Sequence, residues 1–191
     1  VKEIGVELTE EELAEAFVRF KALADKKKHV SHRDIEAIVN NKILTFEQDV
    51  ELISNQYEQG ALDACGVTME QLKSRNAASP DKAMQSFREW INDLLTKHNA
   101  NKAIFVSDNL AFDWQWINWY FHNFIGRNPF GFSGRRIGDL YCGMKMDTGL
   151  NAEWKKLYRK TRHTHHPVDD AKGNAEALLQ FRKMGLRVSL Q

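Results

Sequence analysis

Between Lys102 and Phe124 the chain passes from a short apolar stretch, Ala103-Ile104-Phe105-Val106, through the polar turn Ser107-Asp108-Asn109, into a segment crowded with rings. A short apolar run bounded by turn formers reads as a buried strand, and apolar positions recurring every three or four residues read as a helix. The pattern predicts a strand over 102–106 and a helix over 112–124. Trp114, Trp116, Trp119, Tyr120, Phe121 and Phe124 recur at helical spacing, which favours core packing over base stacking.

With 191 residues, 42% of them apolar and 28% charged, the chain suits one ordinary domain, or one domain with an appended helical piece. A formal net charge of +1 creates no global field for nucleic acid, so any such binding must be local. Cys65 and Cys142 stand alone and read as reduced thiols of a cytoplasmic protein. No stretch reaches the roughly 18 apolar residues of a membrane span, and the polar N-terminus does not read as a signal peptide.

The first forty residues predict a helical hairpin. Thr9-Glu10-Glu11-Glu12 has the form of a capping box, and Leu13, Phe17, Phe20 and Leu23 or Ala24 form an apolar stripe. Lys26-Lys27-Lys28 closes that helix, and Ser31 opens a second with Ile35, Ile38 and Val39 on its buried face. Residues 43–54 read as a junction, where Ile43–Phe46 is a possible strand and Val50–Ile53 a strand or helix. Beyond it, Thr68 caps a short helix, and Ser79-Pro80 opens one whose apolar face is Ala83, Phe87, Trp90, Ile91 and Leu94. Residues 126–138 read as a loop rich in Gly, Arg and Asn. A final helix spans about Val168 to Lys183 and stops at Gly185.

His165-His166-Pro167-Val168-Asp169-Asp170-Ala171 carries the chemistry, since a loop imidazole close to a helix-opening carboxylate can share one pocket with it. Plainer readings stand beside this one. Asp113 alone is more often a helix cap or turn residue, and Asp169 and Asp170 complement the helix dipole without any metal. His163, His165 and His166 are either solvated or an adventitious transition-metal site.

Several stretches in one order, Phe105–Asn109 into Phe112–Gln115, Asn128–Ser133, Arg136–Tyr141 and His165–Leu178, resemble 3′–5′ exonucleases of the DEDDh kind. The resemblance covers about residues 55–185 and implies an α/β fold of the RNase H-like type. It implies single-stranded DNA or RNA 3′ ends as partners, and two Mg²⁺ or Mn²⁺ ions as cofactors. It further implies that Asp113 and Asp170 bind the metal, that His165 is the general base, and that Asn109, Arg135 and Arg136 contact nucleic acid. The family's first motif, Asp-x-Glu at the end of an apolar strand, has no counterpart here. Asp34-Ile35-Glu36 lies in the second helix of the hairpin, and Glu47-Gln48-Asp49 has the reverse order. The first strands of the sheet are therefore expected to be missing, and catalysis to be weak or absent.

Residues 4–40 resemble a helical subdomain of 2-isopropylmalate synthase, from Ile4-Gly5-Val6-Glu7-Leu8-Thr9 to Asp34-Ile35-Glu36-Ala37-Ile38-Val39. That segment carries none of the synthase's metal ligands. The expected organisation is a hairpin over 1–42, a junction over 43–54 and an exonuclease-like domain over 55–191. The alternative is a non-catalytic chimera or truncated protein, or a fragment related to the synthase.

Overall fold

The computed structural model describes residues 9–25 and 43–187, and the chain divides into two compact units, 1–44 and 45–191. In the first unit α1 spans Glu10–Ala24 and opens where the capping pattern places it, with the Leu13 N–H on the Thr9 carbonyl at 2.8 Å. Among the described side chains of this helix Ala16 is buried, whereas Leu13, Phe17 and Val18 are exposed. Periodicity decides which residues share a face, not whether anything covers it. The second helix of the expected hairpin, with Asp34 and Glu36, lies outside the described residues.

The second unit begins with an extended segment. Neither Ile43–Phe46 nor Val50–Ile53 forms a regular element; the described residues there make one isolated parallel bridge, Val50 to Ala78. Phe46 instead stacks on Phe87, with ring centroids 5.1 Å apart, so side-chain burial holds this stretch without a ladder. Helices α2 (Gln59–Cys65) and α3 (Met69–Ser74) follow. Thr68 and Gln71 form a complete capping box on α3. Helix α4 (Pro80–Lys97) starts with proline at its first position, although the Ser79 side chain makes no cap bond.

Strand β1 (Phe105–Ser107) leads into α5 (Leu110–Ile125) and then β2 (Gly134–Arg136), and the two strands pair in parallel with Val106 opposite Arg135. β2 corrects the loop expected over 126–138. Its Gly-Arg-Arg sequence has no apolar alternation, so only pairing with β1 makes it a strand. Gly134 suits the close packing there, because a Cβ would fall 2.5 Å from the Leu110 Cδ1 and 3.1 Å from the Phe105 carbonyl oxygen, so the Leu110 side chain would have to move. After β2 come α6 (Ile137–Lys145), α7 (Glu153–Tyr158) and α8 (Pro167–Lys183).

The pleat sends adjacent strand residues to opposite faces, and each face has its own core. Phe105 packs with Met84, Ile91, Phe121 and Phe130, the core shared by α4 and α5. Val106 packs with Ile137, Tyr141, Trp154, Ala177 and Phe181, the core shared by α6, α7 and α8. The second unit is thus a set of helices around a small parallel sheet, an α/β arrangement with helices on both faces. Of the predicted aromatic stripe, Phe121 is buried and Trp114, Tyr120 and Phe124 are partly buried, while Trp116 and Trp119 are exposed. No helix among the described residues is long and apolar enough to cross a membrane.

Candidate active site

Helix α8 begins at Pro167, with His166 as its cap residue and Asp169 and Asp170 in the first turn. The loop before it is folded back onto those acids. Asp170 Oδ1 lies 2.5 Å from His163 Nδ1 and accepts the Thr164 N–H at 3.3 Å. The Thr164 hydroxyl donates to Asp169 at 2.9 Å and accepts the His166 N–H at 3.2 Å. Between them His165 takes φ +61°, a left-handed conformation that non-glycine residues rarely adopt. The turn lays the His165 ring beside that of His163, centroids 4.3 Å apart. One ligand atom from each of His163, His165 and Asp170 falls within 4.8 Å of the others.

The segment leading to this loop is clamped along α8. Glu176 accepts the N–H groups of Lys160 and Thr161, at 2.7 and 2.8 Å, and the Thr161 hydroxyl at 2.9 Å. Partial burial opposes its charge, but those three hydrogen bonds prevail and hold the Glu176 carboxyl below the usual range. Arg159 lies across Gly173, where a Cβ would stand 3.1 Å from its Nε, and donates to Asn174 at 2.5 Å. Its guanidinium also sits over the Trp154 ring at 5.4 Å. A cavity of about 260 Å³ opens beside the clamp, lined by Lys155, Lys156, Arg159, Lys160, Arg162 and His163.

Asp113 is outside the group of three converging ligand atoms. It occupies the first turn of α5, half-buried, and burial foremost pushes its carboxyl pKa up; the neighbouring charge of Asp108 adds to this. The Ser107 hydroxyl, itself buried, pulls the other way without reaching hydrogen-bond geometry. Asp113 is not one of the three residues whose ligand atoms converge beside α8. His163 lies beside Asp170, and Asp113 has Ser107, Asp108 and Asn109 as its neighbours. Asp108 itself pairs with Lys155 Nζ at 2.6 Å.

A raised pKa makes Asp113 costlier to ionise in the folded chain. Its contribution to stability is fullest below the ordinary carboxylate pKa and is lost as pH rises through the raised folded value. Asp113→Asn is thus expected to raise the melting temperature at neutral pH relative to the parent and to narrow that gap at acid pH. Melting curves across pH check this, and a variant less stable at neutral pH would contradict it.

The remaining expected contacts are mostly engaged within the fold. Arg136 Nε donates to the Asp108 carbonyl at 3.2 Å and its Nη1 meets Asp139 at 3.2 Å. Arg135 is exposed and bonds the Gly134 carbonyl. Asn109 is the cap residue of α5, but its side chain makes no cap bond. Asn128 is buried in the turn, bonding Asn118 and the Phe130 N–H. Sequence reasoning missed two features. The reversed Glu47-Gln48-Asp49 places Glu47 3.2 Å from His166 Nε2. The cationic run Lys155, Lys156, Arg159, Lys160 and Arg162, without an intervening acid, was a legible signal for the clamp.

No family model matches the chain. It is 30% identical over 147 residues to the 3′–5′ DNA exonuclease Cap18 of Escherichia coli, covering 72% of this chain and 74% of that protein. The chain belongs to that exonuclease's family. It is also similar to 2-isopropylmalate synthases. The one from Carboxydothermus hydrogenoformans is 40% identical over 96 residues, 48% of this chain but 19% of the synthase. The one from a Nostoc species is 60% identical over 43 residues, 22% of this chain and 8% of the synthase. The chain spans less than a fifth of either synthase. The Carboxydothermus match runs longer than the fifth of the chain on which the sequence resemblance rested.

Proposed function

We propose that residues 45–191 form a 3′–5′ exonuclease domain of the RNase H-like kind that acts on the 3′ ends of single-stranded nucleic acid. The observation that carries this reading is the His163–His165–Asp170 cluster at the head of α8, bordering a cavity lined by five cationic side chains. Cations along a groove neutralise backbone phosphates whatever the base sequence. They supply locally the attraction that a net charge of +1 does not. An exposed imidazole of the cluster, His165, is placed to accept the proton of an attacking water. Both cysteines are free thiols, which supports a reducing, cytoplasmic setting.

Two Mg²⁺ or Mn²⁺ ions need several converging carboxylates. Two imidazoles and one carboxylate converge here, with Asp113 outside the group. The residues present do not fit a pair of such ions, so the hydrolysis expected of this domain is weak. The test is release of 3′-terminal nucleotides from 3′-labelled single-stranded DNA and RNA, in Mn²⁺ and in EDTA. Digestion in Mn²⁺ above the EDTA control is the expected result, and its absence rejects the hydrolytic reading. The same donor set favours a second reading, a non-catalytic member that binds labelled strands without shortening them.

A further inference from the structure

We propose that His163, His165 and Asp170 bind one divalent transition ion of the Zn²⁺ class, a deepening of the exonuclease reading that turns the misfit with Mg²⁺ into a preference. Imidazole nitrogen suits Zn²⁺, Co²⁺ and Ni²⁺, whereas Mg²⁺ takes oxygen donors and keeps much of its water. A tetrahedral Zn²⁺ about 2.0–2.2 Å from each donor holds its ligands roughly 3.3 Å apart. Donor atoms already within 4.8 Å of one another need only small side-chain rotations to reach that spacing.

The loop is built around this convergence. His165 adopts φ +61°, and its ring lies 4.3 Å from that of His163. Strained non-glycine backbone persists where the surroundings over-determine it. Here the Thr164 bonds to Asp169 and Asp170 supply that constraint. Asp170 is anchored in the first turn of the 17-residue α8, so the carboxylate is fixed and the two exposed imidazoles close onto it. His163 Nδ1 already lies 2.5 Å from Asp170 Oδ1, and an ion entering between them takes over the carboxylate's role as partner. Three protein ligands leave the remaining coordination positions to water, the open arrangement of an exchangeable site. An ion held there occupies His165 and Asp170 together, so Zn²⁺ is expected to suppress the nuclease instead of supporting it.

Titration of the metal-stripped full chain with Zn²⁺, followed by calorimetry and by elemental analysis after gel filtration, tests this without reference to activity. One ion per chain is expected, retained in millimolar Mg²⁺, and the Co²⁺ form is expected to show the visible bands of a four- or five-coordinate ion. Loss of a second-shell partner weakens metal sites by about 10–100-fold, so removing a direct ligand in His163→Ala or His165→Ala should weaken binding by more than about 100-fold. His122→Ala, on the exposed side of α5, should bind as the parent does. Binding well below one equivalent, or equal affinity in His163→Ala with an unchanged circular dichroism spectrum, overturns the proposal. One equivalent of Zn²⁺ bound by a chain that, in its Zn²⁺-free form, digests no nucleic acid in Mn²⁺ would reject the exonuclease reading and leave this site standing.

Discussion

Asp170→Ala is expected to lower the release of 3′-terminal nucleotides by roughly 100- to 10,000-fold, the range lost when a positioned proton-transfer system is dismantled. The Asp170 carboxylate is the common partner of the His163 ring and the Thr164 amide. Its removal frees the loop that sets the left-handed turn at His165, and with it the direction of that imidazole. Asp170→Asn keeps an acceptor for Thr164 but loses the charge, so it should leave the melting temperature near the parent's while remaining as inactive as alanine. Rates for both variants against parent protein, with melting curves alongside, separate chemistry from folding. Parent-like digestion by either variant would remove Asp170 from the mechanism.

The largest expected loss of stability comes from the opposite end of the same helix. Phe181 is fully buried, stacked on Tyr141 with centroids 5.4 Å apart and set edge-on to Tyr158 at 5.7 Å. Phe181→Ala removes the ring and leaves a cavity in the core that joins α6, α7 and α8, at a cost of about 3–5 kcal/mol. Domains of this size are stable by only about 5–15 kcal/mol, so urea denaturation should show a much lower midpoint. A shift below about 1 kcal/mol would mean that the core collapses around the gap. Exposed Phe132 offers the contrast, because alanine there removes a ring that is 93% accessible and should leave the midpoint unchanged.

The elements legible in the sequence were those whose signals are local. The Thr68 cap, Pro80 at the first position of α4 and the Gly185 stop after α8 need only near neighbours, and all three stand where the residues put them. The stop at Gly185 works because its φ of +108° suits glycine alone. The aromatic helix was legible as a helix, yet its pattern did not say that Phe121 would be buried and Trp116 exposed. β2 was illegible, since Gly-Arg-Arg becomes a strand through the partner it meets, β1.

The candidate site divides in the same way. His165 and Asp170 were identified from five-residue spacing along the chain and lie together at the start of α8. His163 was not separable from a solvated histidine, because its role depends on a fold-back that sets Thr164 against two acids. Glu47 marks the limit, since it was discarded for its order and yet meets His166 across a long chain separation.

The sequence by itself determined α1, α3, α4, α5 and α8 and pointed to the family, since hydrophobic period, capping and short spacing act within a few residues, whereas α2, α6 and α7 carried no such signal. Only the tertiary structure decided which groups converge. Convergence depends on the parallel pairing of two three-residue strands, on Glu176 holding the 160–161 amides, and on a left-handed residue turning one imidazole toward another. Those are contacts across chain separations that no local pattern encodes.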